Sequence, residues 1–148
     1  MKVKELMTRK VTTVTPDDMV DKVFLLFHFE CIHHLPVVTE KGTLVGVISD
    51  RDIKKVLGPR REKHHLKDGA VVTVSARKVR TMMRRQLITI GPEESAADAA
   101  AIMVKNKIGA LPVIRNKKLV GIITATDILK SFVKLCDRID KFCQSQKY

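Results

Sequence analysis

The chain has 148 residues, with 28 Lys and Arg against 16 Asp and Glu, a formal net charge of +12. Hydrophobic residues make up 45% and charged residues 30%, a globular balance, while aromatic residues are only 4% with no Trp, too few rings for a single-stranded nucleic-acid stacking platform. No apolar run approaches the ~18 residues of a membrane span, the start Met1-Lys2-Val3-Lys4-Glu5 lacks the apolar stretch of a secretory leader, and a sparse, odd set of cysteines (Cys31, Cys136, Cys143) suits a reducing compartment, so the expectation is a cytoplasmic protein without membrane contact.

In chain order, Lys2–Met7 reads as a short amphipathic turn and Val11–Val14, rich in β-branched residues, as a strand. Thr15-Pro16-Asp17-Asp18 places Pro at a first helical position with acids behind it, predicting a helix over Pro16–Phe29 with Met19, Val20, Val23, Phe24 and Phe27 on its apolar stripe. Leu35–Val38 and Leu44–Ile48 predict a hairpin turning at Lys41-Gly42, followed by a helix over Arg51–Leu57. Gly58–His65 is polar and breaks the helix, and Ala70–Val74 could supply a short strand.

The same series then returns. Lys78–Met83 repeats the amphipathic turn and Leu87–Ile90 the strand. Gly91-Pro92-Glu93-Glu94 opens a slim, alanine-rich helix over Pro92–Asn106. Leu111–Ile114 and Leu119–Ile123 form a hairpin turning at Asn116-Lys117. A longer helix, Thr126–Cys143, carries Ile128, Leu129, Phe132, Val133, Cys136, Ile139 and Phe142 on one stripe, which suits a partner helix or a dimer seam. The offset is 76 positions from Pro36 to Pro112 and 75 from Gly46 to Gly121, one residue being lost in the turn. Two copies of one small unit follow: residues 1–60, a linker over 61–76, and residues 77–148 with an extended last helix. Each copy reads β-α-β-β-α, an α/β (α+β) fold with the two motifs packed sheet to sheet in pseudo-two-fold symmetry.

The chemistry sits in Gly-apolar-apolar-[Ser/Thr]-x-x-Asp, present as Gly46-Val47-Ile48-Ser49-Asp50-Arg51-Asp52 and as Gly121-Ile122-Ile123-Thr124-Ala125-Thr126-Asp127. It falls where a buried strand ends and a helix begins. The hydroxyl and the first helical N–H groups suit a phosphate, and the aspartate can accept two hydrogen bonds from the vicinal diol of a ribose. The same residues also fit plain helix capping, Ser49 and Thr124 as N-caps with Asp52 and Asp127 closing a capping box. Both roles can coexist.

With its Leu-Pro-Val strands, Lys-Gly turn and Gly-Val-Ile-Ser-Asp-Arg-Asp-Ile segment, the chain resembles the CBS domain, named for cystathionine β-synthase, in the tandem arrangement called a Bateman module, from Val3 to about Leu135. The resemblance implies a regulatory module whose clefts between the two motifs bind AMP, ADP, ATP or S-adenosylmethionine, and which forms homodimers. Carried onto these residues, one cleft uses Ser49, Arg51 and Asp52 with Leu87, Ile108, Gly109 and Ala110; the other uses Thr124 and Asp127 with Thr8, Val11, Ile32, His33 and His34. Asp52 and Asp127 then hold ribose, Ser49, Thr124 and Arg51 face phosphate, and Val11, Ile32, Leu87 and Ile108 sandwich adenine. Arg51 and the small Gly109-Ala110 pair rank the Ser49/Asp52 cleft as the tighter for a phosphorylated nucleotide; the other has Thr126 in place of Arg51, the bulky His33-His34, and Thr8 where this one has Arg84.

Other groupings carry less. Cys31-Ile32-His33-His34 and His64-His65 lack the third and fourth ligands that a metal site needs. The basic run Arg77, Lys78, Arg80, Arg84, Arg85 admits three roles: a funnel for nucleotide phosphate, a nucleic-acid dock, or a solvated face. There is no nucleophile–base set, P-loop or dinucleotide fingerprint, which argues against an enzyme. The rival to a nucleotide sensor is a ligand-free scaffold that docks an acidic protein or nucleic acid through its positive surface. No segment encodes the identity of a client protein.

Overall fold

The computed structural model describes residues 1–56, 62–65, 71–74 and 76–145. In chain order the elements are α1 (Val3–Leu6), α2 (Val20–Phe29), β1 (His34–Val38), β2 (Leu44–Ser49), α3 (Asp50–Val56), β3 (Glu62–His65), β4 (Val71–Val74), a 3-10 turn (Val79–Thr81), α4 (Ala96–Asn106), β5 (Ala110–Arg115), β6 (Lys118–Thr124) and α5 (Ala125–Ser145). They form two compact units, one of residues 12–87 and the other of residues 1–11 with 88–148. The unit boundaries therefore cut across the repeat: each lead-in segment leaves its own copy and packs on the body of the other.

The reason lies in where the lead-in residues are buried. Val79 (fully buried) and Met82 join Val20, Val23, Phe27, Leu35, Val37, Ile48 and Ile53 in the core of the unit 12–87. Val3, fully buried as well, joins Ile90, Ala99, Met103, Leu111, Val113 and Ile123 in the other. Burying one valine side chain contributes roughly 1.5–3 kcal/mol, and the exchange gives each body the valine that its own lead-in does not supply. Backbone bonds complete the graft. Val79 N donates to Asp18 O at 2.9 Å and Arg80 N to Pro16 O at 3.0 Å; in the other unit Val3 N donates to Glu94 O at 2.9 Å and Lys4 N to Pro92 O at 3.0 Å.

These bonds explain why both long helices begin later than the Pro-acid signals predict. Residues 15–18 and 91–94 are turns, closed by Thr15 N donating to Asp18 Oδ2 at 2.7 Å and Gly91 N to Glu94 Oε1 at 2.9 Å. Their carbonyls receive the lead-in instead of continuing a helix. The helices start at Val20 and at Ala96, the latter capped by Ser95 accepting from Asp98 N at 3.0 Å. The two strands predicted ahead of them shrink to single parallel bridges, Val14 with Val37 and Ile90 with Val113.

The hairpins pair as expected, β1 with β2 and β5 with β6, each with one bulge, at Val37/Val38 and Val113/Ile114. The first turns at Gly42 (φ 78°), whose N–H donates to Thr39 O at 2.8 Å. In the second, Asn116 (φ 50°) and Lys117 (φ 64°) both have positive φ, as a two-residue turn matched to the strand twist requires. Within the segment expected as a linker, β3 and β4 pair antiparallel, Glu62 opposite Val74 and His65 opposite Val71. The strand over 71–74 was expected and that over 62–65 was not, because its Glu-Lys-His-His sequence has no apolar alternation. Leu57, and the linker positions outside the two strands up to Ser75, lie outside the described residues. Helix α5 has 21 residues, with none fully buried.

Candidate nucleotide-binding site

Both copies of the motif end a strand and start a helix, and both build the same capping box. In the unit 12–87, Ser49 N and Ser49 Oγ donate to Asp52 Oδ2 at 3.0 and 2.6 Å, and Asp52 N returns a bond to Ser49 Oγ at 3.2 Å. In the other unit Thr124 N and Oγ1 donate to Asp127 Oδ2 at 2.8 and 2.7 Å, and Asp127 N donates to Thr124 Oγ1 at 3.2 Å. The capping role read from the sequence is thus present in each copy, and it uses one carboxylate oxygen.

This geometry revises the phosphate role assigned to the hydroxyls. Each hydroxyl proton is committed to its own aspartate, leaving no donor for a phosphate oxygen. The leading N–H of each helix is taken too: Asp50 N donates to His33 O at 3.1 Å and Ala125 N to Gly109 O at 2.9 Å. His33 and Gly109 hold equivalent places before Leu-Pro, so that segment anchors the strand-to-helix turn of its own copy.

The motif glycine is explained by what crosses it. A Cβ at Gly46 would lie 2.8 Å from Met83 Sδ and 3.0 Å from Arg84 O; at Gly121 it would lie 2.6 Å from Met7 Sδ and 2.9 Å from Thr8 O. The lead-in strip runs antiparallel beside the motif strand, Arg84 bridging Val47 and Thr8 bridging Ile122. Positions 84 and 8 are equivalent, and each is held five residues before an aspartate along the neighbouring strand.

Here the two units part. Arg84 Nε donates to Asp52 Oδ1 at 3.0 Å, and Arg84 Nη2 lies 3.0 Å from the same oxygen. Asp52 and Ser49 are both buried, each 8% exposed. Asp127 is only half-buried, and its Oδ1 has no partner among the described residues. The ranking that favoured the Ser49/Asp52 side, on Arg51, the small Gly109-Ala110 pair and Arg84 in the place of Thr8, is at odds with this geometry, because Arg84 already neutralises Asp52.

The remaining residues named from the sequence divide between the units. Ser49, Arg51, Asp52, Leu87, Ile32, His33 and His34 belong to the unit 12–87; Thr8, Val11, Ile108, Gly109, Ala110, Thr124 and Asp127 belong to the other. Arg51 is exposed at the start of α3, Leu87 is partly exposed, and Ala110 is buried. Burial pushes the His34 imidazole below its usual pKa, against the opposing pull of the Asp50 carboxylate. His33 Nδ1 lies 3.4 Å from Asp50 Oδ2. The basic run is mostly paired: Lys78 and Arg80 both bind Asp17, whose carboxyl they hold below its usual range, and Arg84 binds Asp52. The equivalent cluster in the other unit is Lys2 and Lys4 on Glu93, each at 2.9 Å, which lowers the Glu93 pKa to about 2. Sequence reasoning missed these clusters and the Arg84 pair. The alignment of Lys2/Lys4 with Lys78/Arg80, and of Asp17 with Glu93, was the available signal.

Among the described residues no group of three or more His, Cys, Asp or Glu is placed to hold a metal, the three cysteines are free, and no helix is long and apolar enough to cross a membrane.

A tandem α+β repeat with a doubled capping-box aspartate defines a class that comparison identifies. The CBS domain family matches residues 3–59 and 79–134, and the chain belongs to that family. It is similar to the uncharacterized protein MJ1404 of Methanocaldococcus jannaschii, 37% identical over 136 residues covering 90% of this chain and 32% of the relative. It is also similar to a CBS domain-containing protein of Dictyostelium discoideum, 29% identical with 93% of this chain and 94% of the relative covered. The CBS domain pair of protein MJ0100, solved in complex with 5′-methylthioadenosine and S-adenosyl-L-methionine, superposes with a TM-score of 0.74 at 27% identity, covering 90% of this chain and 97% of that one. The chain spans 32%, 46% and 23% of the length of three curated relatives that it matches.

Proposed function

We propose that the protein is a regulatory module that binds an adenosine-containing ligand (AMP, ADP, ATP or S-adenosylmethionine) and performs no catalysis. The observation that carries this reading is the Asp127 carboxylate. One oxygen is fixed by Thr124 and the other has no hydrogen-bond partner among the described residues, which leaves two lone pairs for the two hydroxyl donors of a vicinal diol. The ligands in the MJ0100 complex both contain the adenosine ribose, which supports the same chemistry here. Binding stiffens the module and so changes the surface it offers to a client protein.

The test is a thermal-shift titration with 5′-methylthioadenosine, S-adenosylmethionine, AMP and ATP at low and moderate salt. A ligand specific for the folded protein raises the melting temperature with concentration, and methylthioadenosine, lacking phosphate, does so regardless of salt. A response confined to the phosphorylated compounds and abolished by salt favours the alternative, a positively charged scaffold for an acidic protein or nucleic acid. The internal pairing of Lys78, Arg80 and Arg84 leaves that alternative less free charge than the sequence suggests.

The module is also proposed to be a homodimer. Leu129, Phe132, Val133, Ile139 and Phe142 are each more than half exposed on α5, an apolar stripe that a second copy would cover. Sedimentation should find a dimer that Phe132→Lys converts to monomer.

A further inference from the structure

The two aspartates of the repeat differ in what remains of their hydrogen-bonding capacity. A carboxylate offers about four lone-pair sites. Asp52 fills two on Oδ2 with Ser49 N and Oγ, and meets Arg84 Nε and Nη2 on Oδ1. Asp127 fills two on Oδ2 with Thr124, and its Oδ1 meets no partner among the described residues. The residue that decides this sits at the same place in both units, fixed by the backbone. Arg84 N donates to Val47 O at 2.8 Å and Val47 N to Arg84 O at 3.1 Å; Thr8 N donates to Ile122 O at 2.9 Å and Ile122 N to Thr8 O at 3.0 Å. A threonine there is too short and carries no charge to saturate the carboxylate.

The geometry points to Arg84 as an internal occupant of the diol-binding oxygen of Asp52, so that the protein takes one adenosine ligand, at Asp127, and keeps the Asp52 position closed. This rests on the reading of the capping-box aspartates as ribose ligands and adds which of them is available. The arginine stands in for the ribose: a planar fork of N–H donors occupies the oxygen that two hydroxyls would use. A ligand at Asp52 must first break a charge-assisted pair on a buried carboxylate, which weakens its binding by about tenfold or more. The Arg84 side chain is 46% exposed, so its replacement leaves no buried void.

Isothermal titration with 5′-methylthioadenosine tests this on the full chain, the probe having the diol but no phosphate to interact with the protein's positive charge. Wild type is expected to show one site per chain. Asp127→Asn, which keeps a capping acceptor, should lose it, and Asp52→Asn should leave it unchanged. Arg84→Thr, which copies the other unit, should add a second site. Thr8→Arg should close the first, with affinity falling about tenfold or more, which keeps the proposal testable if Arg84→Thr folds poorly by circular dichroism. Two equal sites in wild type, loss of binding in Asp52→Asn alone, or unchanged binding in Thr8→Arg overturns the assignment of Arg84 while leaving the function intact. No binding to wild type or to Arg84→Thr overturns the ribose reading itself.

Discussion

Replacing Gly121 by alanine probes the contact that grafts the N-terminal segment onto the body of its unit. The new Cβ would stand 2.6 Å from Met7 Sδ and 2.9 Å from Thr8 O. The thioether can swing aside. The carbonyl cannot, because it accepts Ile122 N at 3.0 Å while Thr8 N donates to Ile122 O at 2.9 Å. The strip over residues 7–8 must therefore shift away from β6, which loosens Val3 in its core site. Overpacking of this kind costs about 2–3 kcal/mol, and alanine returns about 0.4–1 kcal/mol by stiffening the unfolded chain. The net loss of about 1–2.5 kcal/mol lowers the melting temperature by roughly 2–10 °C for a chain of this size. Differential scanning calorimetry measures that drop, and limited trypsin digestion at the exposed Arg9 and Lys10 should accelerate alongside it. In a double-mutant cycle, Met7→Ala should recover part of the loss, since it clears the sulfur but not the carbonyl. An unchanged melting temperature together with unchanged cleavage at Arg9 and Lys10 would refute the claim that the glycine is required by the lead-in crossing it.

Lys117 occupies the left-handed region at φ 64°, so Lys117→Gly should stabilise the protein by up to about 1 kcal/mol, read as a rise in melting temperature. Glu93 has its pKa lowered to about 2 by hydrogen bonds from Lys4 and Lys2; its contribution is present above the ordinary glutamate value and fades as pH falls through about 2, and a carboxyl NMR titration should show the low midpoint rising in Glu93-paired variants such as Lys4→Ala. Being solvent-exposed, that cluster should weaken with salt. Burial lowers the His34 pKa, so the folded protein binds this proton less readily than the unfolded chain; stability should decline as pH falls below the ordinary histidine value of 6.5, and His34→Gln should flatten that part of the pH profile.

Much of this protein was legible in one dimension. Periodicity and turn residues placed the two hairpins, the two long helices and the terminal helix, because alternation, apolar stripes and positive-φ turn positions are local properties. The doubled Ser/Thr-x-x-Asp located the capping boxes for the same reason: their bonds span three residues. Tertiary structure decided what those signals connect to. Nothing local says that Val3 and Val79 are buried in the body of the opposite copy, or that Pro16 and Pro92 end in turns because a distant lead-in takes their carbonyls. Nor does it say that Arg84 reaches a carboxylate 32 residues earlier in the chain. A side chain's charge can be read from its letter, but whether that charge is spent depends on which backbone strip lies alongside it, and that is settled only when segments far apart in sequence compete for the same hydrogen bonds and the same core.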